Sequence, residues 1–148
     1  MTLVFDAEPL VALAFDEPGA DAVQADLRAV YDGDRDAYVA TVTLAELRYA
    51  AIRYDSAEAA DRYVRRLADL GVEEFAVDDI WRAVADVKAA HPVSLGDAYA
   101  FCTAAALATG DGTGDVTLRV GSDGDFEKLA ERGPDGLSIR PCLDREPD

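Results

Sequence analysis

The chain has 148 residues, half of them hydrophobic, which suits one folded domain around one core and argues against disorder. No apolar run approaches the ~20 residues of a membrane helix, and the start Met1-Thr2-Leu3-Val4-Phe5-Asp6 lacks the basic segment of a signal peptide, so a cytoplasmic location is expected. The net charge is −16, a poor match to a polyanionic partner unless basic side chains are placed locally.

Asp supplies 21 of the 30 acidic residues, and Lys88 and Lys128 are the only lysines. Such an Asp-rich, Lys-poor surface reads as halophilic. At ~1 M salt the Debye length is ~3 Å, which screens the self-repulsion. Cys102 and Cys142, the two cysteines, make neither a disulfide framework nor a zinc site.

In chain order, Thr2 to Phe5 is a short apolar strand ending at Asp6. Pro9 suits the first turn of a short helix over Leu10 to Phe15, and a second helix runs from near Pro18 to about Tyr31. Asp32-Gly33-Asp34 is a turn, and Tyr38 to Thr41 is a second strand. Thr43-Leu44-Ala45-Glu46 has the pattern of a capping box, which starts a helix reaching about Tyr54. Ser56 caps the next helix, whose stripe Tyr63, Leu67 and Leu70 stops at Gly71.

Glu74 to Val77 is expected as a third strand, and Asp78 as the cap of a helix with Ile80, Val84 and Val87 on one face. His91-Pro92 ends that helix. Ser94-Leu95-Gly96-Asp97 opens another, and Ala98 to Thr109 is apolar almost all round, so it should be central and buried. After a loop over Gly110 to Asp115 come a fourth strand, Thr117 to Gly121, a short helix opened by Asp123-Gly124-Asp125-Phe126, and a last strand at Leu137 to Ile139. Residues 1–141 form the domain and 142–148 a polar tail. Strands alternating with helices predict an α/β three-layer sandwich, with a central parallel sheet of four to five short strands flanked by helices.

Asp6, Glu46, Asp97 and Asp123 all stand at element boundaries. In an open parallel sheet, strand ends and the starts of the following helices share one edge, and ligands bind there. Like-charged carboxylates gathered at such an edge repel one another, and hard divalent cations such as Mg2+ or Mn2+ resolve that conflict. Three of these four acids also have a local reading. Asp6 can cap the next helix or begin a turn. Glu46 and Asp97 each lie three residues after a hydroxyl-bearing cap candidate, where an acid satisfies backbone donors. Asp125 has three roles open: a ligand, a group acting through water, or an acid at a helix start.

Val4-Phe5-Asp6 followed by Leu10-Val11-Ala12-Leu13 resembles the opening of a PIN domain. Val42-Thr43-Leu44-Ala45-Glu46-Leu47 resembles its second motif, Ser94-Leu95-Gly96-Asp97-Ala98 its third, and Gly121-Ser122-Asp123-Gly124-Asp125-Phe126 its fourth. Order and spacing agree over about residues 3 to 140, and the compact length looks most like VapC-type toxins of toxin–antitoxin systems. The resemblance implies a Mg2+- or Mn2+-dependent ribonuclease with Asp6, Glu46, Asp97 and Asp123 as catalytic metal ligands, joined by Asp125. It also implies RNA products with 5′-phosphate and 3′-hydroxyl ends, a homodimer, and a small VapB-like antitoxin.

The chain departs from the family at two motif positions, where Ala7-Glu8 follows the first Asp in place of the usual Ser or Thr and Gly121 replaces a frequent Thr, and its Gly110 to Asp115 loop is longer than usual. Ser122 can supply the missing hydroxyl, and Arg48 and Arg53 are the basic side chains best placed for RNA. Arg62, Arg65 and Arg66 read instead as a solvated face with Glu58–Arg62 and Asp61–Arg65 pairs.

Two alternatives stand beside this reading. A haloacid-dehalogenase-type phosphatase shares Phe5-Asp6-Ala7-Glu8 in part, but it needs Asp where Glu8 stands and a lysine that neither Lys88 nor Lys128 supplies convincingly. A non-catalytic PIN-like scaffold binding RNA or protein would explain Ala7 and Gly121, but has no need of four converging carboxylates.

Overall fold

The computed structural model describes residues 1–110, 115–122, 124 and 126–143. Five strands, β1 (Thr2–Phe5), β2 (Asp36–Ala40), β3 (Val72–Phe75), β4 (Val116–Val120) and β5 (Leu137–Pro141), form one sheet in the order β3-β2-β1-β4-β5. Every neighbouring pair is parallel, with Leu3 beside Ala37 on one side and Thr117 on the other. The expected α/β architecture is therefore present, with five strands.

The helices are α1 (Ala7–Ala14), α2 (Ala20–Tyr31), α3 (Thr41–Tyr54), α4 (Ala57–Leu70), α5 (Trp81–Ala90), α6 (Leu95–Thr109) and α7 (Glu127–Ala130). Strand alternation divides the core into two apolar layers. Leu3, Phe5, Ala37 and Val39 meet Leu10, Val23, Leu27, Leu47 and Leu67 from α1 to α4. Val4, Val116, Leu118 and Val120 meet Val84, Ala98, Phe101 and Leu129 from α5, α6 and α7. The all-round apolar character of α6 follows from its place: it packs on β1, β2, β4 and β5 and also touches α3 and α5.

Two polar caps read from the sequence are in place. Ser56 accepts the Ala59 N–H at 3.0 Å, and Ser94 accepts the Asp97 N–H at 3.1 Å. Gly71 ends α4 with φ 105°, a conformation that favours glycine.

Several boundaries differ from expectation. The second strand ends at Ala40, not Thr41, because Thr41 already opens α3 with Ala40 as its cap. Thr43 therefore lies inside the helix and caps nothing. Its hydroxyl is fully buried without a hydrogen-bond partner among the described residues. The third strand is Val72–Phe75 rather than Glu74 to Val77, since Gly71 feeds directly into pairing of Val72 with Ala37. α5 has Ile80, not Asp78, at its cap position. α1 begins at Ala7, three residues earlier than expected, with Pro9 in its first turn.

Candidate functional site at the carboxyl edge of the sheet

Asp6 directly follows β1. Its N–H donates to the Arg119 carbonyl at 3.0 Å, which extends the β1–β4 ladder by one residue and fixes Asp6 beside the end of β4. It occupies the cap position of α1, yet its side chain makes no cap hydrogen bond. Asp6 is only 4% exposed, between a fully buried Phe5 and a buried Ala7. A carboxylate held in such a place without capping the helix that follows it is expensive unless other polar or charged groups attend it.

Glu46 stands in the second turn of α3, not the first, because α3 begins at Thr41. The capping role open to it in the sequence is therefore absent. Its carboxylate is packed over the Cα of Gly96 at the start of α6. A Cβ built on Gly96 would lie 2.6 Å from Glu46 Cδ and 2.7 Å from Oε2, and closer still to Oε1.

Asp97 is the next residue, in the first turn of α6, held by the Ser94 cap. Partial desolvation, and then the negative charge of Asp97, push the Glu46 carboxyl above its ordinary pKa. Residues 51 positions apart are thus brought together by the packing of α3 on α6.

Ser122 follows β4 by two residues, at the same edge as Asp6. Asp123 and Asp125, the remaining expected ligands, lie outside the described residues. Among the described residues, no group of three or more His, Cys, Asp or Glu side chains is gathered closely enough to hold a metal ion.

Glu8 is an acid that sequence reasoning did not place at the site. Its carboxylate lies over Gly121, where a Cβ would come within 2.5 Å of Oε1 and nearer to Oε2. The two motif positions where the chain departs from the PIN pattern therefore touch: the carboxylate of Glu8 takes the room that a larger residue at 121 would fill. The sequence offered one signal, the position of Glu8 two residues after Asp6 in the first turn of α1.

The basic candidates are partly committed elsewhere. Arg48 forms an exposed ion pair with Asp61 of α4, so Asp61 is drawn to α3 rather than to Arg65. Arg53 donates to the Tyr49 hydroxyl at 3.1 Å, one turn back on the same helix. A separate groove of about 590 Å3 runs between α1, α2, α3 and α4, with Leu10, Leu27, Tyr63 and Leu67 in its walls together with the polar Gln24, Arg28 and Arg66. Cys102 is buried in α6, and burial pushes its thiol up to about 11, as suits a small packing group. No helix among the described residues is long and apolar enough to cross a membrane.

The fold is similar to that of solved toxin–antitoxin proteins. A chain of VapBC2 from Rickettsia felis, solved bound to a DNA fragment from the promoter, superposes with a TM-score of 0.70 at 13% identity, over 95% of this chain and 98% of that one. A chain of VapBC-1 from nontypeable Haemophilus influenzae gives 0.59 at 13% identity, over 96% and 98%. At this identity the likeness concerns the fold. Among curated proteins, none matches the chain in sequence. The PIN domain family model matches residues 3–131 and leaves the haloacid-dehalogenase alternative without support. Matched by that model over most of its length, the chain belongs to the PIN domain family.

Proposed function

We propose that this PIN domain is an endoribonuclease that hydrolyses RNA phosphodiester bonds with Mg2+ or Mn2+, and that it is the toxin of a toxin–antitoxin pair. The observation that carries the proposal is the packing of the Glu46 carboxylate over Gly96, next to Asp97, across the α3–α6 contact, where burial first and the Asp97 charge second raise the Glu46 pKa. Folding that brings two carboxylates together fits a site completed by a cation, because the donors are hard oxygens and a divalent ion offsets their repulsion while both stay ionised. Asp6, Glu46, Asp97 and Asp123 would hold the ion or ions, with Asp125 either beside them or one water away. When bound, such an ion supplies the Lewis acid that activates water and offsets phosphate charge.

The chain's own residues do the rest. The Ser94 cap fixes the start of α6 and with it the direction of Asp97. The ladder bond from Asp6 to Arg119 holds the first carboxylate against the sheet end. Ser122 offers a hydroxyl to the scissile phosphate, and Arg53 and Arg48 stand on the helix that carries Glu46, with Arg48 exchanging Asp61 for RNA. The chain carries only one histidine, His91, at the carboxyl end of α5, so proton transfer at the scissile bond is left to carboxylates and water.

The VapBC complexes among the similar structures support a VapB-like antitoxin as partner. The groove between α1 and α4, with leucines flanked by Arg28 and Arg66, offers such a partner a seat. The family resemblance also supports a homodimer, and the composition supports a salt-rich cytoplasm. The test is cleavage of a structured RNA by purified protein in high salt. Cleavage that requires Mg2+ or Mn2+ and leaves 5′-phosphate and 3′-hydroxyl ends is expected. Equal cleavage in excess EDTA, or metal binding without cleavage, would overturn the proposal, the second outcome favouring a scaffold.

A further inference from the structure

Glycine is a poor choice for the first turn of a central helix, since it loses more backbone freedom on folding than any other residue. Gly96 occupies that place in α6, and its φ is not among the positive values found at Gly19, Gly33, Gly71, Gly124 and Gly136. Its backbone would therefore accept an alanine. What would not accept it is the carboxylate of Glu46, which fills the volume a Cβ would need. Gly96 also precedes Asp97, the group whose charge Glu46 feels.

We propose that Gly96 is a positioning residue, whose bare Cα seats the Glu46 carboxylate beside Asp97. The inference rests on the reading of these carboxylates as cation ligands. One position thereby sets the spacing of two ligands, one through the chain and the other through the absence of a side chain. The obstruction an alanine would create falls on the end of a flexible, solvent-accessible side chain, so it costs the fold little. Glu46 would swing away from α6 while the helix gains propensity. Stability and metal binding should then move in opposite directions.

The experiment compares the wild type with Gly96→Ala, Glu46→Asp and the double variant. It measures melting of metal-free protein, Mn2+ affinity by calorimetry, and RNA cleavage. Gly96→Ala is expected to melt no lower than the wild type without metal, yet to bind Mn2+ about 10- to 100-fold more weakly, the range found when a group that orients a metal ligand is lost. Asp at 46 is one methylene shorter and leaves the space over residue 96 open. Adding Gly96→Ala to Glu46→Asp should therefore change Mn2+ affinity less than about threefold, a small fraction of the single-variant effect. Wild-type Mn2+ affinity in Gly96→Ala, or an equal loss in both backgrounds, overturns the proposal; the second result places the effect at Asp97.

Failure of the functional reading is separable. If the wild type itself binds no Mn2+, that reading falls, and the seat is judged from the carboxyl 13C resonance of Glu46 in metal-free protein. Gly96→Ala should move this resonance toward that of a solvated glutamate, and an unmoved resonance refutes the seat.

Discussion

Replacing Asp26 with asparagine should destabilise the protein strongly, although Asp26 is not among the proposed metal ligands. Asp26 lies on the apolar face of α2 among Val23, Leu27 and Val30, and its carboxylate takes a two-pronged bond from Arg119 of β4, at 2.7 Å from Nε and 3.0 Å from Nη2. The third guanidinium nitrogen donates to the Pro141 carbonyl at 3.1 Å, so one side chain joins α2, β4 and β5. The side chains are only 8% and 16% exposed, which sets this pair apart from Arg48–Asp61 at 44% and 57%.

Exposed pairs contribute about 0–1 kcal/mol, whereas removing one partner of a buried pair costs about 3–5 kcal/mol because a charge is left without its counter-charge. Asn keeps the shape and one acceptor, so the lower end of that range, about 3 kcal/mol, is expected for Asp26→Asn. In a chain of this size it corresponds to a melting point lower by about 6–12 °C. Denaturation in urea at low and high salt is the assay, and the loss should persist in high salt because buried pairs are screened little. Asp26→Leu with Arg119→Met should recover most of it. A cost below about 1 kcal/mol for Asp26→Asn would mean that the pair behaves as a surface contact, and the reasoning from burial would be refuted.

Other outcomes follow from single contacts. Ser94→Ala removes the cap on α6 and should cost about 1 kcal/mol by denaturant melting. Gly71→Ala forces a side chain onto a φ of 105° and should lower stability by about 1 kcal/mol or more, with cleavage unchanged at temperatures where the fold holds. The Cys102 thiol, pushed up to about 11 by burial, should stay un-ionised at neutral pH, resist a disulfide reagent in the native protein, and react at once in denaturant.

The parts of this fold that rest on local chemistry were legible in the sequence. Ser56, Ser94 and Gly71 act where their residue types indicated, and the unbroken apolar runs of β1 and α6 marked elements buried on more than one side. What failed depended on pairing. Tyr38 to Thr41 reads as strand with β-branched Thr41 at its end and Thr43 as a cap beyond it, but the sheet ends where Ala40 meets Phe75, and the helix already starts at Thr41. β3 carries Glu73 and Glu74 in its middle, both exposed at the sheet edge, so its apolar residues are too few to reveal its register. The Asp26–Arg119 pair spans 93 residues, and neither residue type announces a buried partner.

At the site, the boundary positions of Asp6, Glu46 and Asp97 were visible, but a choice between capping and ligation was not. The structure removes the capping roles of Asp6 and Glu46, while Asp97 stays in a capped first turn. The contacts of Gly96 with Glu46 and of Gly121 with Glu8 join residues distant in sequence, and a glycine carries no sign of what fills its missing side chain.

The most direct measurement is RNA cleavage by Asp97→Asn set beside its melting point with and without Mn2+. Asn retains the shape and one acceptor but lacks the charge proposed to hold the ion. For the wild type at a metal concentration 100 times Kd, linkage supplies about 2.7 kcal/mol, a rise of about 5–11 °C. The account predicts that Asp97→Asn melts near the wild type without metal, loses most of that rise, and does not cleave. An Asp97→Asn protein that cleaves at the wild-type rate yet melts far lower would show that Asp97 holds the start of α6 and nothing more, and would contradict the central claim.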